Sequence, residues 1–373
     1  MNVIIAGDFA PRARLAQQIE EEKFNEIFQN QLIEIIDSAD YSIVNLEAPI
    51  TEKDYKPITK CGPNLACTEG VVDALKFAKF SAVTLANNHI LDYGAEGVRK
   101  TMSCCLDGGL DVVGVGENLK EAGKILYVKR KGKILAVINC CEHEFSIATD
   151  SAAGANPLNP IAQFYKIKEA KEKADFVLVI VHGGHEHFQL PSPRMQETYR
   201  FFVDAGADAV VNHHQHCYSG YEFYKEKPIF YGLGNFCFDW DGIPSKKWTE
   251  GYMVRIIFDA KIIFELIPYR QYASLNKVLL LKADSFNSEL DKLNKIIGDE
   301  TKLNFECERY FLESYPTIKF FLNPIRNKLI SFLHQKKLFP SLINKNWLMV
   351  LLAIVRCESW RDKLVYYLNK ECK

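Results

Sequence analysis

Five apolar runs of strand length divide the first 216 residues, and each ends on side chains able to ligate a metal: Asp8, Glu47, Asn88-His89, His182 and His213-His214-Gln215-His216. Helix-length segments separate the runs. A strand–helix alternation of this kind builds a mainly parallel sheet covered by helices. In open α/β sheets ligands bind beyond the carboxyl ends of the strands, so parallel strands bring the five tips to one rim. Strands are expected at 2–7, 42–46, 80–86, 175–181 and 207–211, and helices at 14–36, 69–79, 96–106, 160–174 and 194–204. Lys131-Gly132-Lys133, between apolar runs at 124–128 and 134–140, is a hairpin signal. Later strands at 220–225, 228–231, 252–258 and 261–267 suggest a second sheet, and with it a layered α/β/β/α sandwich. After about residue 275 helical periods take over. The expected division is one α/β domain over 1–272 and a helical C-terminal extension over 273–373.

Carboxylate, amide and imidazole together suit borderline or hard divalent ions such as Zn, Mn or Fe. A metal in that setting lowers the pKa of bound water and clamps an anionic oxygen. Singly, each tip has a plainer reading. Asp8 can cap a helix after a turn, Asn87-Asn88-His89 can be a turn, and His182 can be a core histidine. The glycines after His182 imply close approach of the backbone to something. His214 and His216 are the strongest pair, because alternate residues of an extended segment point the same way and can face one ion. His185 and His187 are expected to line the pocket or lie on the surface. His143 is expected in a loop, and Asn235 as a brace for the His cluster. Lys60 and Arg194 are expected to be solvated, with anion binding as the alternative.

Net charge is −1, so there is no basic excess to neutralise a nucleic acid. The chain opens directly on an apolar strand, with no secretory signal pattern. Its longest apolar run, Trp347 to Val355, is far shorter than the roughly 20 residues that span a bilayer. The eleven cysteines include adjacent pairs such as Cys104-Cys105, a pattern that fits neither a zinc finger nor a disulfide framework. A reduced, cytoplasmic setting is the simplest expectation, with membrane association only through partners. The tail aromatics Tyr310, Phe311, Phe320, Phe321, Trp347, Tyr366 and Tyr367 read as helix packing, with a membrane-surface or partner-binding face as the alternative.

The segments Ala6-Gly7-Asp8, Val44-Asn45-Leu46-Glu47-Ala48-Pro49, Leu85-Ala86-Asn87-Asn88-His89-Ile90-Leu91-Asp92-Tyr93-Gly94, His182-Gly183-Gly184-His185-Glu186, His213-His214-Gln215-His216 and Ile229 to Phe236 carry a resemblance. In order and spacing the chain, over about residues 1–270, resembles the CapA family of poly-γ-glutamate capsule synthesis, within the calcineurin-like metallophosphoesterase superfamily. The resemblance implies a metallophosphatase-like fold and one or two divalent ions. It implies that Asp8 binds the first metal and that Glu47 stands as the bridging carboxylate. Asn88 would bind the second metal and orient the substrate. His89 would act as general acid, oriented by Asp92, and His182, His214 and His216 would complete the metal shell. Glu186 matches the family's His-Trp-Gly-x-Glu glutamate, as a base or a partner behind the ligands. The implied function is metal-dependent hydrolysis of a phosphoester or related anionic bond in capsule, polysaccharide or poly-γ-glutamate synthesis. The implied partners are an anionic small-molecule or polymer substrate and polymer assembly proteins. The alternative is a non-catalytic metal-binding subunit of an assembly complex. The chain departs from the family pattern at several positions. The superfamily's Asp-x-His reads Asp8-Phe9-Ala10, Gly183 replaces Trp, Asn212 and Gln215 replace Gly and Pro, and Gly232 replaces Ser.

Overall fold

The computed structural model describes residues 1–240, 245–272, 276–314 and 345–371. In chain order the strands are β1 (Asn2–Ala10), β2 (Tyr41–Leu46), β3 (Ala82–Thr84), β4 (Asp111–Val113), β5 (Val115–Gly116), β6 (Leu126–Arg130), β7 (Lys133–Cys141) and β8 (Gly154–Ala155). They continue as β9 (Phe176–His182), β10 (Ala209–His213), β11 (Tyr221–Tyr224), β12 (Lys227–Phe230), β13 (Asn235–Phe238), β14 (Glu250–Ile257), β15 (Ile263–Gln271) and β16 (Val278–Leu280).

Two large sheets form. The first runs β16-β15-β14-β1-β2-β3-β4, with β13 also pairing with β1; the second runs β11-β12-β10-β9-β7-β6. β1 to β4 are parallel, as are β7, β9, β10 and β12. Strand periodicity assigns the layers. Val3, Ile5, Ile43 and Val254 of the first sheet share a core with Leu178, Ile180 and Val211 of the second. Their neighbours Ile4, Ala6 and Val44 face the other way, onto Leu15, Leu32, Leu75 and Val98 of helices. On the far side Ala136, Val179 and Val210 pack against Ile167, Tyr199, Phe202 and Leu303. The expected α/β/β/α sandwich is therefore the observed one.

Two expectations are corrected. Of the later strands, β11 and β12 join the second sheet, but the last two do not. β14 and β15 extend the first sheet antiparallel to β1, and the second sheet is built from residues between 126 and 230. The helix expected over 14–36 is three helices, Ala13–Glu20, Phe24–Ile27 and Asn30–Asp37. Glu22 takes a left-handed φ of 55°, and Phe28 is extended. Phe28 leaves the helix because its ring is buried in an aromatic stack, 6.1 Å from Phe236 and 6.5 Å from Phe9. Burying that ring outweighs the helical hydrogen bonds given up at the breaks.

Among the described residues, the segment beyond 275 holds β16, paired with β15, and then helices. The helices Ala283–Ile297 and Glu300–Glu313 place Ile297, Leu303 and Cys307 on the outer face of the second sheet. The helices Lys345–Arg356 and Glu358–Glu371 follow. Tyr310 stacks on Phe188 at 4.3 Å, and Phe311 meets Tyr366 at 5.6 Å, as packing aromatics should. Phe320 and Phe321 lie outside the described residues. Among the described residues no helix is long and apolar enough to cross a membrane.

A polar clasp ties the last helix down beside β7. Glu358 accepts the His143 backbone N–H at 2.7 Å and faces its Nδ1 at 2.6 Å. Arg194 reaches Glu142 at 2.7 Å and Asp362 at 2.9 Å, and the Ser359 N–H reaches Glu142 at 3.3 Å.

Two tests follow from this packing. A Cβ on Gly7 would lie 1.8 Å from the Gly234 carbonyl oxygen, where β1 crosses β13. Gly7→Ala is expected to cost roughly 2 kcal/mol or more through overpacking. Gly132→Ala, in the open hairpin turn, should cost only about 1 kcal/mol for its left-handed φ. Thermal unfolding of both variants checks the order. The hydrogen bond to Glu358 raises the His143 pKa above 6.5. A raised folded-state pKa gives stability that is complete below the unfolded value and is lost as pH climbs through the folded one. Proteolysis of the 345–371 helices should therefore quicken as pH rises above 6.5, and His143→Gln should flatten that dependence.

Candidate metal centre

The first sheet supplies three of the expected groups. Asp8 is buried, with Oδ1 accepting from Asn45 Nδ2 at 2.7 Å and Oδ2 accepting from the His214 N–H at 3.1 Å. Glu47 follows β2, its N–H held by the Phe9 carbonyl at 2.9 Å. Its carboxylate is fully buried, and neither oxygen has a hydrogen-bond partner. Burial, and then the charge of Asp8, push the Glu47 carboxyl well above the usual carboxylate range. Asn87 fastens the turn after β3 by donating to the Leu46 carbonyl at 2.8 Å and accepting the His89 N–H at 3.1 Å. That turn aims Asn88 Oδ1 at His182 Nε2, 3.0 Å away.

The second sheet supplies the imidazoles. His182 ends β9, with Nε2 3.6 Å from Glu47 Oε1 and 3.1 Å from His214 Nδ1. His216 sits on the other side of Glu47, with Nε2 3.7 Å from Oε1 and Nδ1 3.8 Å from Asp8 Oδ2. Two overlapping groups result, Glu47-His182-His214 and Asp8-Glu47-His216, each with its ligand atoms within 4.8 Å of one another. Burial drives the His182 pKa well below 6.5 and lowers that of His216, which leaves both rings in the neutral, ligating form. The pair 214/216 corrects the sequence reading in one respect. The segment is not extended. His214 and His216 take left-handed φ values of 87° and 54°, and they fall in different ligand groups that share Glu47. Non-glycine residues held in this region cluster at functional sites.

The donor set fits divalent cations. An unpaired, buried carboxylate shared by two groups of neutral nitrogen and carboxylate donors is a strongly unfavourable arrangement that positive charge relieves.

His89 stands beside this centre rather than in either group. Its Nδ1 faces Asp92 Oδ2 at 2.7 Å and Lys60 Nζ at 3.1 Å. Burial takes its pKa down to about 4. Lys60 is ion-paired with Asp92 and only 3% exposed, so it is neither a solvated lysine nor a free anion receptor. Arg194 is likewise committed, to Glu142 and Asp362. Glu186 is exposed at the mouth, where it and His89 line two adjoining cavities of about 250 and 380 Å³. His185 is buried against Asp362, at 3.6 Å, and the Phe311 ring, while His187 lies by Trp248 in the larger cavity. Asn235 braces His216 as expected, Oδ1 to Nδ1 at 2.9 Å.

The departures from the family pattern have local causes. A Cβ on Gly183 would lie 2.6 Å from the Glu142 side chain, and one on Gly232 would lie 2.3 Å from Gln215 Oε1. Asn212 Nδ2 donates to the carbonyls of Gly183, His213 and Tyr231, knitting the strand tips together. Sequence reading missed Asn45, which sets the Asp8 carboxylate; its position two residues before Glu47 on β2 was the available signal. It also missed Glu144, which lines the same cavity as Asn88 and lies 3.9 Å from His214 Nε2. Nothing in the local sequence marks Glu144, because its neighbours in the site come from other strands.

Comparison with known proteins places the chain in a family. Residues 2–240 match the family model described as "Bacterial capsule synthesis protein PGA_cap". The chain is 38% identical over 210 residues to the capsule biosynthesis protein CapA of Bacillus anthracis, covering 54% of this chain and 51% of that protein. It is 34% identical over 230 residues to the PGA biosynthesis protein CapA of Bacillus subtilis (strain 168), covering 61% and 60%. The matched regions thus span between half and three fifths of these relatives. A solved phosphatase structure from Mycoplasma pneumoniae is similar at a TM-score of 0.46 and 15% identity, over 74% of this chain and 95% of that one. With the family model matched across both sheets of the sandwich, the chain belongs to the bacterial capsule synthesis protein family PGA_cap.

Proposed function

We propose that the protein is a metal-dependent hydrolase of a phosphoester or related anionic bond, acting in the synthesis of a capsule-type polymer, polysaccharide or poly-γ-glutamate. One observation carries the reading: both oxygens of the buried Glu47 carboxylate lack partners, and this carboxylate belongs to both groups of ligand atoms. Asp8, Glu47 and His216 would hold one ion, and Glu47, His182 and His214, with Asn88 beside them, would hold a second. Bound there, one or two ions of the Mn, Zn or Fe type supply positive charge to anionic oxygens and make a bound water acidic.

The chain's own groups do the rest. Asn88, with its Oδ1 3.0 Å from His182 Nε2, presents its amide to the substrate. Asp92 keeps a proton on His89 Nδ1, which leaves Nε2 as the free ring nitrogen on the cavity side. A ring with a pKa of about 4 starts neutral, so His89 takes a proton during attack and returns it to the leaving oxygen. Glu186, at the mouth, receives the substrate's outer part. A non-catalytic metal-binding subunit of a polymer assembly complex would use the same centre, and ions bound without turnover are its signature.

Two measurements test the reading. Chelator-stripped protein refilled with Mn or Zn at 100 times Kd should gain about 2.7 kcal/mol of stability. Glu47→Ala and His214→Ala should abolish most of the gain, and elemental analysis should find at least about one ion per chain. Metal-loaded protein should hydrolyse a generic aryl phosphate, chelator should stop it, and His89→Ala should slow it by roughly 10²- to 10⁴-fold. Turnover indifferent to chelator and to both the His89 and His214 substitutions overturns the proposal.

A further inference from the structure

The smaller cavity has one polar end and one apolar wall, and the wall comes from outside the matched family region. Lys60, Asn88, His89, Glu144 and Glu186 form the polar end, next to the candidate metal centre. Val350, Ala353, Ile354, Cys357 and Trp360, from the helices Lys345–Arg356 and Glu358–Glu371, form the facing wall. The family match stops at residue 240, so this wall lies outside the matched region. It is seated. Ile354 and Cys357 are buried, and Cys357 Sγ reaches Glu144 Oε1 at 3.5 Å. The clasp residues Glu142, His143 and His185 directly follow β7 and β9, the latter ending in the candidate ligand His182. The position of the wall is therefore fixed by the same strand ends that set the metal centre.

We infer that the C-terminal helix pair builds a selectivity pocket beside the reacting bond, which takes a small apolar or aromatic substituent carried by the anionic group. The inference rests on the hydrolase reading above. A volume of about 250 Å³ admits one ring or a short branched chain and excludes a bulkier residue. The wall offers such a group dispersion contacts and removal from water, and a substituent smaller than the pocket forfeits both. Outward-facing residues of the same helix, such as Leu352, take no part.

Binding of two inert anions with the same phosphonate headgroup tests this on the full chain loaded with Mn. Calorimetry compares phenylphosphonate with methylphosphonate. The intact protein is expected to prefer the phenyl compound by about tenfold. Trp360→Ala opens the wall and Ala353→Phe fills the pocket, and either should bring the ratio near one. Affinity for methylphosphonate should then stay within about twofold, since it probes only the centre. Leu352→Gln should leave the preference intact. Circular dichroism and the methylphosphonate affinity report that each variant is folded. Equal affinities in the intact protein, or an unchanged preference in both wall variants, overturn the pocket while leaving the centre standing. If methylphosphonate itself fails to bind the loaded protein, the hydrolase reading falls and takes this inference with it.

Discussion

A carboxylate sealed from water without a single hydrogen bond is the constraint on which the arrangement turns. Left to itself such a group costs several kcal/mol or takes up a proton. Backbone geometry puts Glu47 there regardless. Its N–H is bound to the Phe9 carbonyl, and Ala48-Pro49 commit the chain to leave β2 at that point. The groups that surround it do not relieve it. His182 and His216 are held neutral by burial, and Asp8, which accepts from Asn45 and the His214 backbone, brings acceptor lone pairs and no donor. Lone pairs converge from both sides of Glu47, and a shared cation is what turns that convergence into attraction.

The centre also joins the two sheets. Asp8, Glu47 and Asn88 come from the first sheet and His182, His214 and His216 from the second. Hydrophobic packing of Val3, Ile5, Leu178 and Val211 holds the sheets face to face and so fixes how far apart the two sets of tips lie. Where β1 leaves that core it crosses β13, with Gly7 against Gly234, and the contact admits no side chain. Asp8 and Asn235 are thereby neighbours across the pair, which is how one carboxylate and the brace of His216 reach the same imidazole.

Much of this was legible in the sequence, because strand tips are one-dimensional signals. An apolar run that ends on a ligand type announces both the strand and the rim, and the six residues Asp8, Glu47, Asn88, His182, His214 and His216 do come together. The layer order was legible for the same reason. What sequence periodicity did not carry were features decided by contacts between distant segments. The break at Phe28 depends on Phe9 and Phe236, and the division of His214 and His216 between two positions depends on left-handed backbone that no residue type there announces. The commitment of Lys60 to Asp92, 32 positions away, and the nearness of Glu144 to Asn88 are likewise tertiary facts.

The charge around the centre says when a substrate can enter. Asp8, Glu47 and Glu144 lie within or against the ligand groups and Glu186 stands at the mouth, while Lys60 is already engaged with Asp92. A bare centre therefore presents carboxyl oxygens and the neutral imidazoles of His182 and His216 to an anionic group, with the nearest lysine already committed, and offers little to attract it. Divalent cations held by the two ligand groups would supply the positive charge it lacks. On that accounting, cations bound as proposed above would be needed before an anionic group could approach.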